Sequence, residues 1–182
     1  MKGIIRSVFI LIIPVLLTDC AALTREMDKY REKRGKKIEE GYEAIRKMAF
    51  SGLYEFRATH VYPSGGYPAR NIAGNRYYLS VNVYDVKAFL PFFGVQYMAG
   101  RPGESGISLE GKMENLMIEE SDSRHRVLIR FSVKEESDNY LITLDIGPGG
   151  NASLSISSTK RSTINYVGEV IPVEPAEEEK EE

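Results

Sequence analysis

Arg126–Ser157 reads RVLIRFSVKEESDNYLITLDIGPGGNASLSIS. Three stretches inside it alternate with a period of two. Val127, Ile129, Phe131 and Val133 alternate with Arg126, Leu128, Arg130 and Ser132. Tyr140, Ile142, Leu144 and Ile146 alternate with Leu141, Thr143 and Asp145, and Ala152, Leu154 and Ile156 with Ser153, Ser155 and Ser157. Successive side chains of a strand point to opposite faces, so each stretch is a strand with one apolar and one polar side. Between them stand Glu136-Ser137-Asp138-Asn139 and Gly147-Pro148-Gly149-Gly150-Asn151, both rich in turn residues. Consecutive strands on short turns are antiparallel, and sheets with one wet side have this pattern.

Outward from this meander the same period recurs. Tyr54, Phe56 and Ala58 alternate with Glu55, Arg57 and Thr59, and Leu79, Val81 and Val83 with Ser80, Asn82 and Tyr84. Shorter strands are expected at 106–110 and 114–120, and a last one near 163–170. Pro63-Ser64-Gly65-Gly66 and Arg101-Pro102-Gly103 are further turn signals, and a helical turn is expected at Asp85–Phe89. The expected fold is mainly β: an antiparallel meander of about eight strands closing into a lipocalin-sized barrel or half-barrel. One amphipathic helix precedes it. Ile38, Tyr42, Ile45 and Ala49 are spaced four, three and four apart, Met48 widens that face, and Ser51-Gly52 ends it.

Upstream of the helix the chain changes character. Lys2 and Arg6 precede the apolar run Ser7–Leu17, which is too short for a bilayer span of ~20 helical residues and reads as an export signal. The single cysteine follows in Leu17-Thr18-Asp19-Cys20. A lone cysteine there resembles a bacterial lipobox, in which the thiol is acylated and becomes the new N-terminus. Asp19 stands where a small residue is usual, and cleavage after Ala22 is the competing reading. The expected organisation is a lipoprotein signal peptide at 1–19, an anchor and basic stalk at 20–37, the helix and β domain at 38–171, and a disordered acidic tail at 172–182. Thr24 is the expected N-cap of the stalk. Residues 25–48 hold nine basic and six acidic side chains, whereas Glu174–Glu182 holds six acids and one lysine. A Pro/Glu-rich tail of this kind buries too little apolar surface to order itself.

The chemistry-bearing residues are sparse. The formal net charge of −2 gives no footprint for nucleic acid. His60 and His125 have no second histidine at ligand spacing, so no metal site and no cofactor are expected. Glu119-Glu120-Ser121-Asp122 lacks a calcium-loop pattern, and Gly147-Pro148-Gly149-Gly150 lacks the lysine of a phosphate loop. No catalytic residue emerges. The segment that stands out is Ala88–Val95, AFLPFFGV. Phe89, Leu90, Phe92 and Phe93 either plug one end of the barrel or form a lip for an apolar ligand or partner.

Three blocks carry a family resemblance: Tyr54-Glu-Phe56-Arg-Ala58 with Pro63, Phe89-Leu-Pro-Phe-Phe-Gly-Val95, and Ala152-Ser-Leu154 through Ser158 with Arg161, Ile164, Tyr166 and Gly168. Over residues 40–170 the chain resembles a family of small bacterial envelope lipoproteins known as domain of unknown function 4251. The resemblance implies an all-β, lipocalin-sized barrel and no assigned activity. The functional expectation is a membrane-anchored, non-enzymatic binding module for an apolar ligand or an envelope protein. It would face the periplasm, on the outer membrane rather than the inner. The alternative is a structural subunit of an envelope complex with no ligand site, and the third reading is a glycan or lipid hydrolase.

Overall fold

Helix α1 spans Lys2–Ser51 and is followed by nine strands. These are β1 (Leu53–Tyr62), β2 (Arg70–Asn71), β3 (Tyr78–Asn82), β4 (Asp85–Pro91), β5 (Gly106–Ser121), β6 (Arg126–Lys134), β7 (Asn139–Ile146), β8 (Asn151–Ser158) and β9 (Ile164–Pro172). The computed structural model describes residues 2–97, 106–135 and 138–173, and of 2–24 the backbone alone. The expected turn at Arg101-Pro102-Gly103, the Glu136-Ser137 half of another, the tail from Glu174 and the Cys20 side chain lie outside the described residues. The chain divides into two compact units, residues 1–40 and 41–182.

In the first unit the helix begins upstream of Thr24, so Thr24 is not a cap. Lys, Arg and Glu are strong helix formers, and Lys29–Glu26 (3.1 Å) and Lys36–Glu32 (2.8 Å) pair one turn apart. Gly35 costs such a helix only ~1 kcal/mol. In the second unit the helix ends as its sequence dictates. Ser51 Oγ donates to Met48 O at 2.7 Å, and Gly52 takes a positive φ of 67°, which closes the last turn. Tyr42, Ile45, Met48 and Ala49 are buried against the barrel. The helix packs over the β5–β6 and β7–β8 turns: Tyr42 Oη donates to Asp122 at 2.7 Å, and a Cβ on Gly41 would meet Gly149 N at 3.2 Å.

The strands form one antiparallel sheet in the order β2-β1-β3-β4-β5-β6-β7-β8-β9, with β1 also paired to β9. That last pairing closes an eight-stranded barrel. One edge of β1 is shared by β3, at Leu53–Arg57, and β2, at His60–Val61, while β9 covers the other from Tyr54 to Tyr62. A register shift between Ala58 and His60 marks a bulge in β1 opposite Gly168. A Cβ at Gly168 would collide with the Arg57 carbonyl, so the corner needs glycine. Inside, Phe56, Leu79, Val81, Ile129 and Phe131 are at most 1% exposed. Eight strands leave an interior just wide enough for side chains. At Gly111 a Cβ would lie 2.7 Å from Val133 Cγ1, so the space is filled there.

Four local expectations are corrected. Asp85–Phe89 belongs to strand β4, not to a helical turn; its Val86, Ala88 and Leu90 face inward, and Pro91 is tolerated because it is the last rung, opposite Gly106. The two short strands at 106–110 and 114–120 are a single strand, β5, whose alternation is broken by a bulge with Asn115 at φ 55°. Val83 is not an inward strand position. It sits in the β3–β4 turn at φ 56°, and Pro172, placed in the tail, ends β9.

Candidate functional site

The Phe89–Phe93 segment runs from β4 into the rim of the barrel away from the helix. Leu90 points into the core. Pro91 O accepts a buried hydrogen bond from Tyr166 Oη at 2.8 Å. Burial pushes the Tyr166 phenol well above its ordinary range, so this donor keeps its proton. Phe92 is buried with the Arg161 guanidinium 5.4 Å from its ring centroid. Ser162 pins the chain beyond Phe93: its Oγ accepts from Val95 N at 3.0 Å and its N–H donates to Val95 O at 2.9 Å. A Cβ on Gly94 would meet that Oγ at 2.5 Å, so only glycine lets the two segments approach. Phe89, by contrast, is 51% exposed and lies against Tyr77 at 5.7 Å, and Arg70 covers half-buried Phe93 at 4.5 Å. The four residues therefore do not share one surface: Leu90 and Phe92 belong to the core, Phe93 packs against it beneath Arg70, and Phe89 alone of the four lies on the outer wall.

The remaining sequence candidates are engaged locally. His60 Nδ1 lies 3.1 Å from Thr59 Oγ1, and His125 meets the Tyr42 ring edge-on at 5.5 Å. Glu119 pairs with Arg130, Glu120 with Arg46, and Asp122 accepts from Tyr42. Among the described residues no group of acids, histidines or cysteines is arranged to hold a metal ion, and no helix is long and apolar enough to cross a membrane.

A site that the sequence did not signal lies at the helix end of the barrel. Strand β4 begins at Asp85, opposite Lys112, whereas β5 continues to Ser121. Past Lys112 the last link between them is Met113 N–H to Tyr84 O at 2.7 Å. Beyond that rung β5 has a strand partner on its β6 side alone among the described residues. The place where β4 would have continued is an open groove of about 420 Å³, lined by Ala49, Phe50, Val83, Tyr84, Leu116 and Ile118. Phe50 and Tyr84 are both 61% exposed, and Val83, Leu116 and Met117 are exposed beside them. Val83 N–H donates to Gly52 O at 2.8 Å, which holds the β3–β4 turn on the helix terminus. A β-branched residue at positive φ is strained by ~1–3 kcal/mol, and such strain collects at functional sites.

No curated protein matches the chain. A crystal structure of a DUF4251 family protein from Bacteroides eggerthii DSM 20697 is similar in fold, with a TM-score of 0.56 and 18% identity over 72% of this chain and 87% of that one. The family model described as "Domain of unknown function (DUF4251)" matches residues 36–170, which are helix end and barrel together. The chain belongs to the DUF4251 family.

Proposed function

We propose that the protein is a lipid-anchored, non-enzymatic module of the bacterial envelope that holds another protein on the outside of its barrel. The observation that carries this reading is where the apolar surface lies. The positions that would line a ligand cavity, Phe56, Leu79, Val81, Ile129 and Phe131, are packed against one another as core. Apolar and aromatic side chains meet solvent instead at the groove beside Phe50, Tyr84 and Leu116. Exposed apolar surface of that kind marks interaction sites. An acylated Cys20 would supply the anchor, since two or more acyl chains suffice for stable membrane retention.

Two measurements test the reading. Cys20→Ser is expected to move the protein from the membrane to the soluble fraction; an intact mass showing an unmodified N-terminus at Leu23 ends the anchor. Native mass spectrometry of the barrel is expected to give the protein's own mass without a bound lipid. A stoichiometric extractable lipid would instead favour carriage of an apolar ligand.

A further inference from the structure

We infer that the groove at the end of β4 takes an extended segment of the partner protein, which adds as a strand to the free edge of β5. This rests on the reading that the partner is a protein. A strand edge presents a row of backbone N–H and C=O groups, and only another main chain satisfies them in register. Residues 106–112 of β5 pair with β4, and residues 113–121 pair with β6. From Glu114 onward no strand lies on the β4 side among the described residues. Strands β6 and β7 are paired along both sides, and β5 also lacks a β6 partner over Gly106–Lys112, but among these unpaired stretches the one from Glu114 adjoins the apolar groove, because β4 starts only at Asp85.

Side chains then select the occupant. Alternate residues of an added strand face the groove, where Phe50, Tyr84, Leu116 and Ile118 offer apolar contact. Charge selects further. Residues 114–121, ENLMIEES, hold three glutamates and no base. Glu119 and Glu120 are answered by Arg130 and Arg46, while Glu114 is exposed and has no ion-pair partner among the described residues. Two copies of this edge would bring acid to acid, and like charges across a ladder are unfavourable. The fitting occupant is a foreign strand with alternating apolar residues and a lysine or arginine beside them.

The probe is a blocked octapeptide of alternating valine and threonine with a lysine at each end, titrated into the mature full chain in detergent micelles and followed by amide NMR. The expected result is shifts confined to amides 83–84 and 114–118, with slowed hydrogen exchange on β5. The same peptide N-methylated at alternate amides is expected to bind at least tenfold more weakly, as is a version with glutamate ends. Leu116→Asn should weaken the parent peptide without unfolding an already exposed position. Equal binding of the N-methylated peptide, shifts centred elsewhere, or no binding at millimolar peptide overturns the strand-addition model. A photo-crosslinking residue placed in cells at Leu116 or at Phe89 separates the two levels. An adduct from Phe89 with none from Leu116 ends the groove and keeps the partner reading; no adduct from either, with lipid bound to the protein, ends both.

Discussion

Asp138 is the one buried charged side chain among the described residues. Burial alone would raise its carboxyl, but Thr159 Oγ1 at 2.7 Å, Ser158 and the N–H groups of Asn139 and Thr159 donate to it and hold it below the usual carboxylate range. The group is thus easier to ionise folded than unfolded. Its stabilisation is present above an unfolded value of ~3.9 and is lost as pH falls through the lower folded value. Asp138→Asn is expected to cost ~1–3 kcal/mol at pH 7 in urea unfolding, with the gap to the parent shrinking below pH 4. An equal gap at both pH values would contradict the ionised role. At the same rim, Phe92→Ala is expected to cost ~3–5 kcal/mol and Phe89→Ala well under that, because only the former empties a packed site. Comparable losses in urea would mean that the sidedness of β4 is wrong. This sidedness is only partly readable in the sequence: the density of aromatics around Pro91 marks the segment, but which of them faces inward depends on β4 being a strand up to Pro91.

The elements divide in the same way. β1, β6, β7 and β8 are legible because their alternation is long, uninterrupted and flanked by turn residues, and the helix face at Tyr42, Ile45 and Ala49 because its spacing is helical. β5 reads as two strands, since Gly111 and the Asn115 bulge break its period at the point where it changes partners. The groove is not legible at all. It arises from a difference in where two neighbouring strands stop, and that difference is a property of register rather than of any residue. The terminal turns of α1 offer the element-scale prediction. Burial, and then the Asp122 acceptor, push the Tyr42 hydroxyl up to about 12. A raised folded value means that this contribution is complete below the unfolded value of ~10 and disappears as pH rises through 12. Tyr42→Phe should therefore cost ~1 kcal/mol at pH 7. Its urea midpoint should converge on that of the parent between pH 10 and 12; a constant difference across that range would assign the loss to packing. Ile45→Ala, which opens space beneath the same helix, is expected to cost ~2–5 kcal/mol at every pH.

At the scale of the molecule, closure depends on one seam. Gly168 lets β9 pass the bulge of β1, and Thr59 Oγ1 reaches across it to Val167 O at 3.0 Å. Gly168→Val is expected to destabilise by more than ~3 kcal/mol, as mutations that force backbone apart do, and the loss of near-ultraviolet dichroism with strand content retained would show an opened sheet. A native near-ultraviolet signal in that variant would mean that the seam has slack. The seam also sets an order of events. It joins residues 108 apart in sequence, and they are the first and last strands of the ring. A chain that crosses a membrane N-terminus first presents β1 first and must wait for everything up to Pro172 before the two meet. Throughout that wait the ribbon has a loose end on each side, and a chaperone that shields β1 meanwhile would guard the step on which the whole ring depends.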